Sequence, residues 1–298
     1  MATVQDLRRR IRSVRNTRKI TKAMELVASA RLRRAQARIE SMRPYADRMQ
    51  ELMVGTARAA ASVHGLPLLE RRDERTVAIL PLTGDRGLAG AFNAQILRHA
   101  LALDRGLRSE GRDVRWLAAG RKGLSTLRFR GFDLSASWTG FSDRPAYADA
   151  QAIAHRLIEL YTGEEIDRAV IVYNHFVSPL VQKVTEQCVL PVPEHVLQAG
   201  EEEEEHERAL VGDVIYEPEP EEILTRLLPV YVETEIYRAL LESAASEQGA
   251  RMTAMRNASK NAGELIDTLT LAMNRARQAE ITQEILEVVA GADALAVD

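Results

Sequence analysis

The sequence predicts an α/β protein in which the two ends form a long antiparallel coiled coil and the middle forms a mostly parallel, helix-covered sheet. Three observations lead there. Apolar repeats at coiled-coil spacing occupy both ends. Strand-like and helix-like segments alternate between them. Aromatic residues are 5% of a chain that is 46% hydrophobic, a balance suited to alanine and leucine seams.

The N-terminal run, residues 1–62, carries its seam at Leu7, Ile11, Val14, Arg18, Thr21, Glu25, Ala28, Leu32, Ala35, Ile39, Met42, Ala46, Met49 and Met53. An apolar side chain every 3.5 residues keeps one face turned toward a partner helix. The repeat falters from Arg18 to Glu25, where Ile20, Met24 and Val27 define a stripe rotated to a neighbouring face. A bend is expected at Pro44 if the chain stays helical there. The C-terminal run, residues 221–295, has its seam at Tyr237, Leu241, Ala244, Gln248, Arg251, Met255, Ala258, Ala262, Leu265, Leu269, Ala272, Ala276, Ala279, Gln283, Leu286 and Ala290. Its alanines allow close approach of a partner backbone. Each run would span roughly 80–100 Å. Propensity alone does not hold helices of this kind in water, so each needs a partner along its length. The other run is the obvious one, packed antiparallel because both ends must return to the middle.

Between them, Thr76–Leu82 reads as a buried strand, GDRGLAG at 84–90 as a glycine-rich turn, and Phe92–Leu107 as a helix. Val114–Ala119 is a second strand, Lys122–Phe129 a short helix and Ala146–Tyr161 another helix. Ala169–Phe176 and Val181–Leu190 are later strands. This alternation implies a largely parallel sheet over about residues 75–210.

The 298 residues carry a net charge of −3, distributed unevenly. Arginines and lysines crowd the first fifty residues, and acids crowd Glu201 to Glu205. A basic helix seeks an anionic partner, whereas the acidic run reads as a solvated loop. The N-terminus lacks the apolar core of a secretory signal, and its arginines lie within the heptad run, against a transit peptide. No uncharged apolar stretch is long enough to span a bilayer. The single cysteine, Cys188, excludes an internal disulfide and any multi-cysteine metal site. GDRGLAG lacks the Lys-Ser/Thr of a phosphate-binding loop and the spacing of a dinucleotide fingerprint, so it reads as a tight connection. The histidines show no metal-ligand spacing, and no catalytic constellation stands out. The expected site inventory is therefore no catalytic residue, no cofactor and no metal. Two rivals stay open: a DNA-binding coiled coil, detectable by salt-sensitive DNA affinity, and a nucleotide-binding enzyme, detectable by equilibrium dialysis.

KITKAMELVASARLRRAQ at 19–36, DRGLAGAFN at 85–93, ARMTAMRNASKNA at 250–262 and NRARQAEITQEILEVVAGADAL at 274–295 closely resemble the gamma subunit family of the F-type ATP synthases. The resemblance implies an antiparallel coiled coil plus a Rossmann-like α/β domain, and a non-catalytic central rotor stalk. It implies that ion (proton) flow drives ATP synthesis or hydrolysis by rotation inside a hexamer of three alpha and three beta subunits. One copy per complex is implied, with a foot on the epsilon subunit and the c-ring, peripheral to the cytoplasmic face of a bacterial membrane, and with no nucleic acid partner. By the same resemblance, Lys19, Lys22 and Met24 meet a beta-subunit acidic loop, and Arg277, Gln278 and Thr282 bond a second beta loop. Ala290, Ala292, Ala294 and Leu295 belong to a smooth tip in an apolar sleeve, and Tyr216 and Glu217 to the foot. Ala89 stands where many relatives carry cysteine, the paired-cysteine insert of the plastid form is absent, and Glu201 to Glu205 match no part of the family pattern.

Overall fold

The computed structural model describes residues 3–60, 65–197 and 217–296, and for 194, 195 and 291–296 the backbone alone. The elements run α1 (Val4–Ala59), β1 (Thr76–Pro81), α2 (Phe92–Ser109), β2 (Asp113–Ala119), α3 (Arg121–Phe129) and β3 (Leu134–Trp138). They continue with α4 (Tyr147–Thr162), β4 (Arg168–Phe176), β5 (Gln182–Leu190), a 3-10 turn and α5 (Pro220–Ala296). Two compact units emerge, one comprising Met1–Ala28 with Met252–Asp298 and the other Ser29–Arg251.

The larger unit is built on a five-stranded sheet in the order β3-β2-β1-β4-β5. β1 pairs parallel with β2 and β4, β2 pairs parallel with β3, and β5 returns antiparallel along β4. The inner strands are nearly continuous apolar runs because both sheet faces are covered. Residues 77–81 of β1 are all buried. On one face α2 and α3 pack Phe92, Ile96 and Leu127 against Val77, Ile79, Trp116 and Val172. On the other, Met49 and Met53 of α1, Ile153 and Leu157 of α4, and Leu228, Val232 and Ile236 of α5 cover Ala78, Leu80 and Ile171.

β3 is the element that the sequence reading lacks. Its five residues LSASW alternate half-buried and exposed at the sheet edge, so the segment has no apolar run to announce it. α1 runs on through Pro44, and α5 through Pro229. Each proline removes one helical hydrogen bond, a loss that packing along these faces offsets. Among the described residues, no helix is long and apolar enough to cross a membrane.

In the smaller unit the first turns of α1 pack antiparallel on the C-terminal half of α5. Leu7, Ile11, Thr21, Glu25 and Ala28 are buried on one side and Met252, Met255, Ala262 and Ile266 on the other. Two expectations need correction. The α1 seam does not rotate at Arg18–Glu25: Ile20 and Val27 are 60% and 53% exposed, whereas the polar Thr21 and Glu25 stay on the seam. On α5 the buried residue is Ile266, and Leu265 is 47% exposed, because the stripe follows 255, 262, 266 rather than a strict heptad.

Candidate functional site

Thr21 and Glu25 can occupy the seam because their polarity is answered locally. The Thr21 hydroxyl donates to the Arg18 carbonyl at 3.1 Å, within its own helix. The Glu25 carboxylate accepts from Lys22 Nζ at 3.0 Å and from Arg256 Nε of α5 at 3.1 Å. The Lys22 ammonium, joined by Arg256, holds the Glu25 carboxyl below its usual range, outweighing the raising effect of burial. Lys22 and Arg256 are each more than half exposed, so solvent screening limits the cluster to about 1 kcal/mol. Its larger consequence is register. Arg18 lies beside Gly263, its Nη1 3.8 Å from where a Cβ on that glycine would sit. Both the 25–256 and the 18–263 approaches have residue numbers that add to 281.

That register dictates where α5 loses its partner. α1 begins at Val4, which falls opposite residue 277. Every described side chain from Arg277 to Ala290 is exposed. Ile281, Ile285, Leu286, Val288 and Val289 are 43–72% exposed, a run of aliphatic surface that water does not favour. Arg277 and Gln278 face solvent, and Thr282 spends its hydroxyl on the Gln278 carbonyl at 2.9 Å. Ala290 is exposed, while the side chains of Ala292, Ala294 and Leu295 lie outside the described residues. On α1, Lys19 is exposed and Met24 half-buried, flanked by the exposed Ile20, Leu26 and Val27. Glu217 is exposed, and Tyr216 and the run Glu201 to Glu205 lie outside the described residues.

The glycine-rich turn follows β1, where the strand order reverses between β1 and β4, the usual ligand crevice of such sheets. Here protein fills it. Burial would raise the Asp85 carboxyl, but the backbone amides of Gly140, Ser142 and Arg121 together hold it below the ordinary value. Those three N–H groups lie at 2.9–3.1 Å from its oxygens. α5 completes the plug. Ser243 donates to the Leu82 carbonyl at 3.3 Å and Ser246 to that of Asn174 at 2.9 Å. Glu247 lies so close to Gly84 that a Cβ there would meet its carboxylate at 2.7 Å. Glu247 is paired with Arg251, which also donates to the Gly87 carbonyl at 3.3 Å. Burial pushes the Glu247 carboxyl up, against the opposing pull of Arg251. Glycine at 84 leaves room for this close approach, since a Cβ there would make the Glu247 carboxylate shift, a constraint the sequence shows only as a glycine-rich turn.

A model of the ATP synthase family matches residues 3–295. A protein of Rubrobacter xylanophilus named ATP synthase gamma chain is 47% identical over 299 residues, covering 99% of both chains. The chain belongs to the ATP synthase gamma-chain family. It is a non-catalytic subunit, the central stalk of an F-type ATP synthase. Gamma chains of Moorella thermoacetica and Nostoc punctiforme are 45% and 42% identical, each alignment covering 99% of this chain and 100% of the relative. The central stalk and c-ring structure of the Tetrahymena thermophila mitochondrial ATP synthase contains a chain that is 28% identical, with a TM-score of 0.58 over 80% of this chain and 99% of that one. A chain of the Euglena gracilis rotor shares the fold at 17% identity, with a TM-score of 0.63 over 93% and 98% of the two chains. Against this gamma-chain background, the structure brings Lys22 into an intrachain cluster with Glu25 and Arg256 and leaves Lys19, Arg277, Gln278 and Thr282 outward-facing. Sequence reasoning missed the Glu25–Arg256 pair. Its signal was an acid on an apolar seam with an arginine one helix away.

Proposed function

We propose that this chain rotates inside a hexamer of three alpha and three beta subunits and couples ion (proton) flow to ATP synthesis or hydrolysis there. One copy serves each complex. Its foot, including Tyr216 and Glu217, rests on the epsilon subunit and the c-ring, which makes it a peripheral protein on the cytoplasmic face of the membrane. The observation that carries this reading is the end of α5: from Arg277 to Ala290 the helix exposes a run of aliphatic side chains that has no partner in its own smaller unit. Such a surface suits a sleeve supplied by other chains.

Catalysis by the hexamer then needs only an asymmetric shaft. A contact surface that differs around the axis stabilises different states at three chemically identical sites. Each 1.4 kcal/mol of differential contact shifts a site's equilibrium about tenfold. In this scheme Lys19, Lys22 and Met24 meet an acidic beta-subunit loop, Lys22 with its charge shared with Glu25. Arg277, Gln278 and Thr282 bond another beta loop. Ala290, Ala292, Ala294 and Leu295 form the bearing, where few directional bonds oppose turning. The test is capture of the tagged chain from native membranes, followed by cross-linking. Co-purification of an ATPase that pumps ions in vesicles is expected. A disulfide between Lys19→Cys and a neighbouring hexamer subunit should stop both turnover and pumping, with recovery on reduction. Full activity in the cross-linked state would refute rotation.

A further inference from the structure

We infer that the cleft between α2 and α3 binds a small organic phosphate, at a site that adjoins the filled crevice through Lys122 and Asn93, which lie against the glycine-rich turn. Two facing helix stripes build it. Arg98, Leu101 and Arg105 stand at i, i+3 and i+7 on α2, and Lys122 and Arg130 stand at i and i+8 on and just past α3. With Phe132 they line a cleft of about 660 Å³, within the range of small-molecule sites.

The charges on this cleft are unanswered. Among the described residues, none of Arg98, Arg105, Lys122 and Arg130 has a carboxylate partner; Arg105 only returns its Nε to the Leu101 carbonyl at 3.2 Å. The one acid in the lining, Asp104, is already committed to Arg108 at 2.9 Å and to Trp116 Nε1 at 3.3 Å. Several other arginines of the same unit do have such partners: Arg112 and Arg168 share Glu74, Arg115 meets Glu165, and Arg31 and Arg86 share Asp143. Four like charges around one concavity repel each other and raise the local potential, which draws in an anion. Guanidinium groups match phosphate oxygens in planar, two-bond geometry. The floor is apolar: Leu101 and Phe132 are partly buried, and the Phe132 ring packs 5.1 Å from that of Trp116. A cationic rim over an apolar floor selects a phosphate carried on an apolar or ring-shaped body over inorganic phosphate alone.

Calorimetric titration of the purified full-length chain, in chelator and at low salt, tests the site with ATP as the organic phosphate and pyrophosphate as the body-less one. One saturable ATP site is expected, weakening with ionic strength, with pyrophosphate binding at least tenfold more weakly. The exposed-site double variant Arg98→Gln with Arg130→Gln should lose at least tenfold in ATP affinity. Arg115→Gln with Arg156→Gln, which removes two paired cations elsewhere, should stay within twofold. Absence of saturable ATP binding, or equal loss in both double variants, overturns the proposal. So does capture of the chain by anionic phospholipid vesicles with no ATP binding, which would assign the cations to a membrane surface. Subunit co-purification reads the stalk function independently of either result.

Discussion

The two ends of α5 answer the same physical problem differently. From Leu224 to Arg251 the helix is largely buried, and its carboxylates at 233, 235, 242 and 247 find partners within the larger unit. Glu233 accepts from Tyr147 Oη at 2.6 Å, Glu235 from Gln187 and Arg238, and Glu242 is paired with His175. From Arg277 to Ala290 the helix presents aliphatic and polar side chains to solvent alike. One part is finished by its own chain and the other is left unfinished. A helix that only stabilised its own fold would have no reason to carry Ile281, Ile285, Leu286, Val288 and Val289 past the last partner. What holds a fold together and what meets other molecules can thus be separated along a single element.

The sharpest way to break this contrast is at the buried pair. Arg251→Ala leaves Glu247, whose side chain is 1% exposed, without its countercharge. Breaking such a pair costs about 3–5 kcal/mol, because the remaining charge stays desolvated. Chemical denaturation followed by Trp fluorescence should show this loss in the larger unit. The double change Glu247→Leu with Arg251→Leu should recover most of it if the pair is only a structural plug. A second pair of variants compares the two environments directly. Ile11 is 5% exposed, and Ile11→Ala should cost about 2–4 kcal/mol by its lost burial and the cavity left behind. Ile285 is 57% exposed, and Ile285→Ala should change the isolated chain by no more than about 0.5 kcal/mol. Equal losses would mean that the end of α5 is packed within the chain after all.

Much of this contrast was legible in the sequence. Buried β strands such as TVAILP and AVIVYNHF read correctly because parallel strands covered on both faces are continuous apolar runs. β3 did not, since LSASW at a sheet edge is half polar. The seam is legible, but its polar stretch reads as a rotation that the structure does not have. Periodicity counts apolar residues and cannot see that Glu25 is neutralised by Arg256, more than two hundred residues away. The filled crevice was equally hidden, because the acid that fills it, Glu247, comes from the far end of the chain. The exposed end at 277–290 carries the same helical pattern as the packed part. Only the α1 start at Val4, combined with the register, reveals where the partner stops.

Smaller effects probe whether other subunits complete the unfinished end. Gln278→Leu with Thr282→Val should leave the isolated chain unchanged, since both residues are exposed and the Thr282 hydroxyl only bonds its own helix. In the assembled complex the same double variant should slow ATP turnover, because enclosed partners left without a hydrogen bond cost about 1–3 kcal/mol. Wild-type turnover in reconstituted complexes would show that this face is never gripped.

A modest effect is expected at the Glu25 cluster, and it carries a pH signature. Lys22 and Arg256 hold the folded-state pKa of Glu25 below its ordinary value of 4.5. The unfolded chain therefore binds a proton at higher pH than the folded chain does. The resulting stability is fully present above the ordinary carboxyl range and is lost as pH falls through the depressed folded value. Glu25→Gln removes the charge while keeping the shape, and should cost about 1 kcal/mol at neutral pH, given that both cations are largely exposed. Urea unfolding followed by helical signal, at neutral pH and again well below the carboxyl range, reads the difference between variant and wild type. That difference should shrink toward zero in acid, where wild-type Glu25 is protonated too. The Ile11→Ala loss, which rests on burial and not on charge, should persist in acid. A Glu25→Gln deficit that survives acidification would assign the residue's role to amide-scale packing on the seam, and the shared register with Arg256 would then owe nothing to their charges.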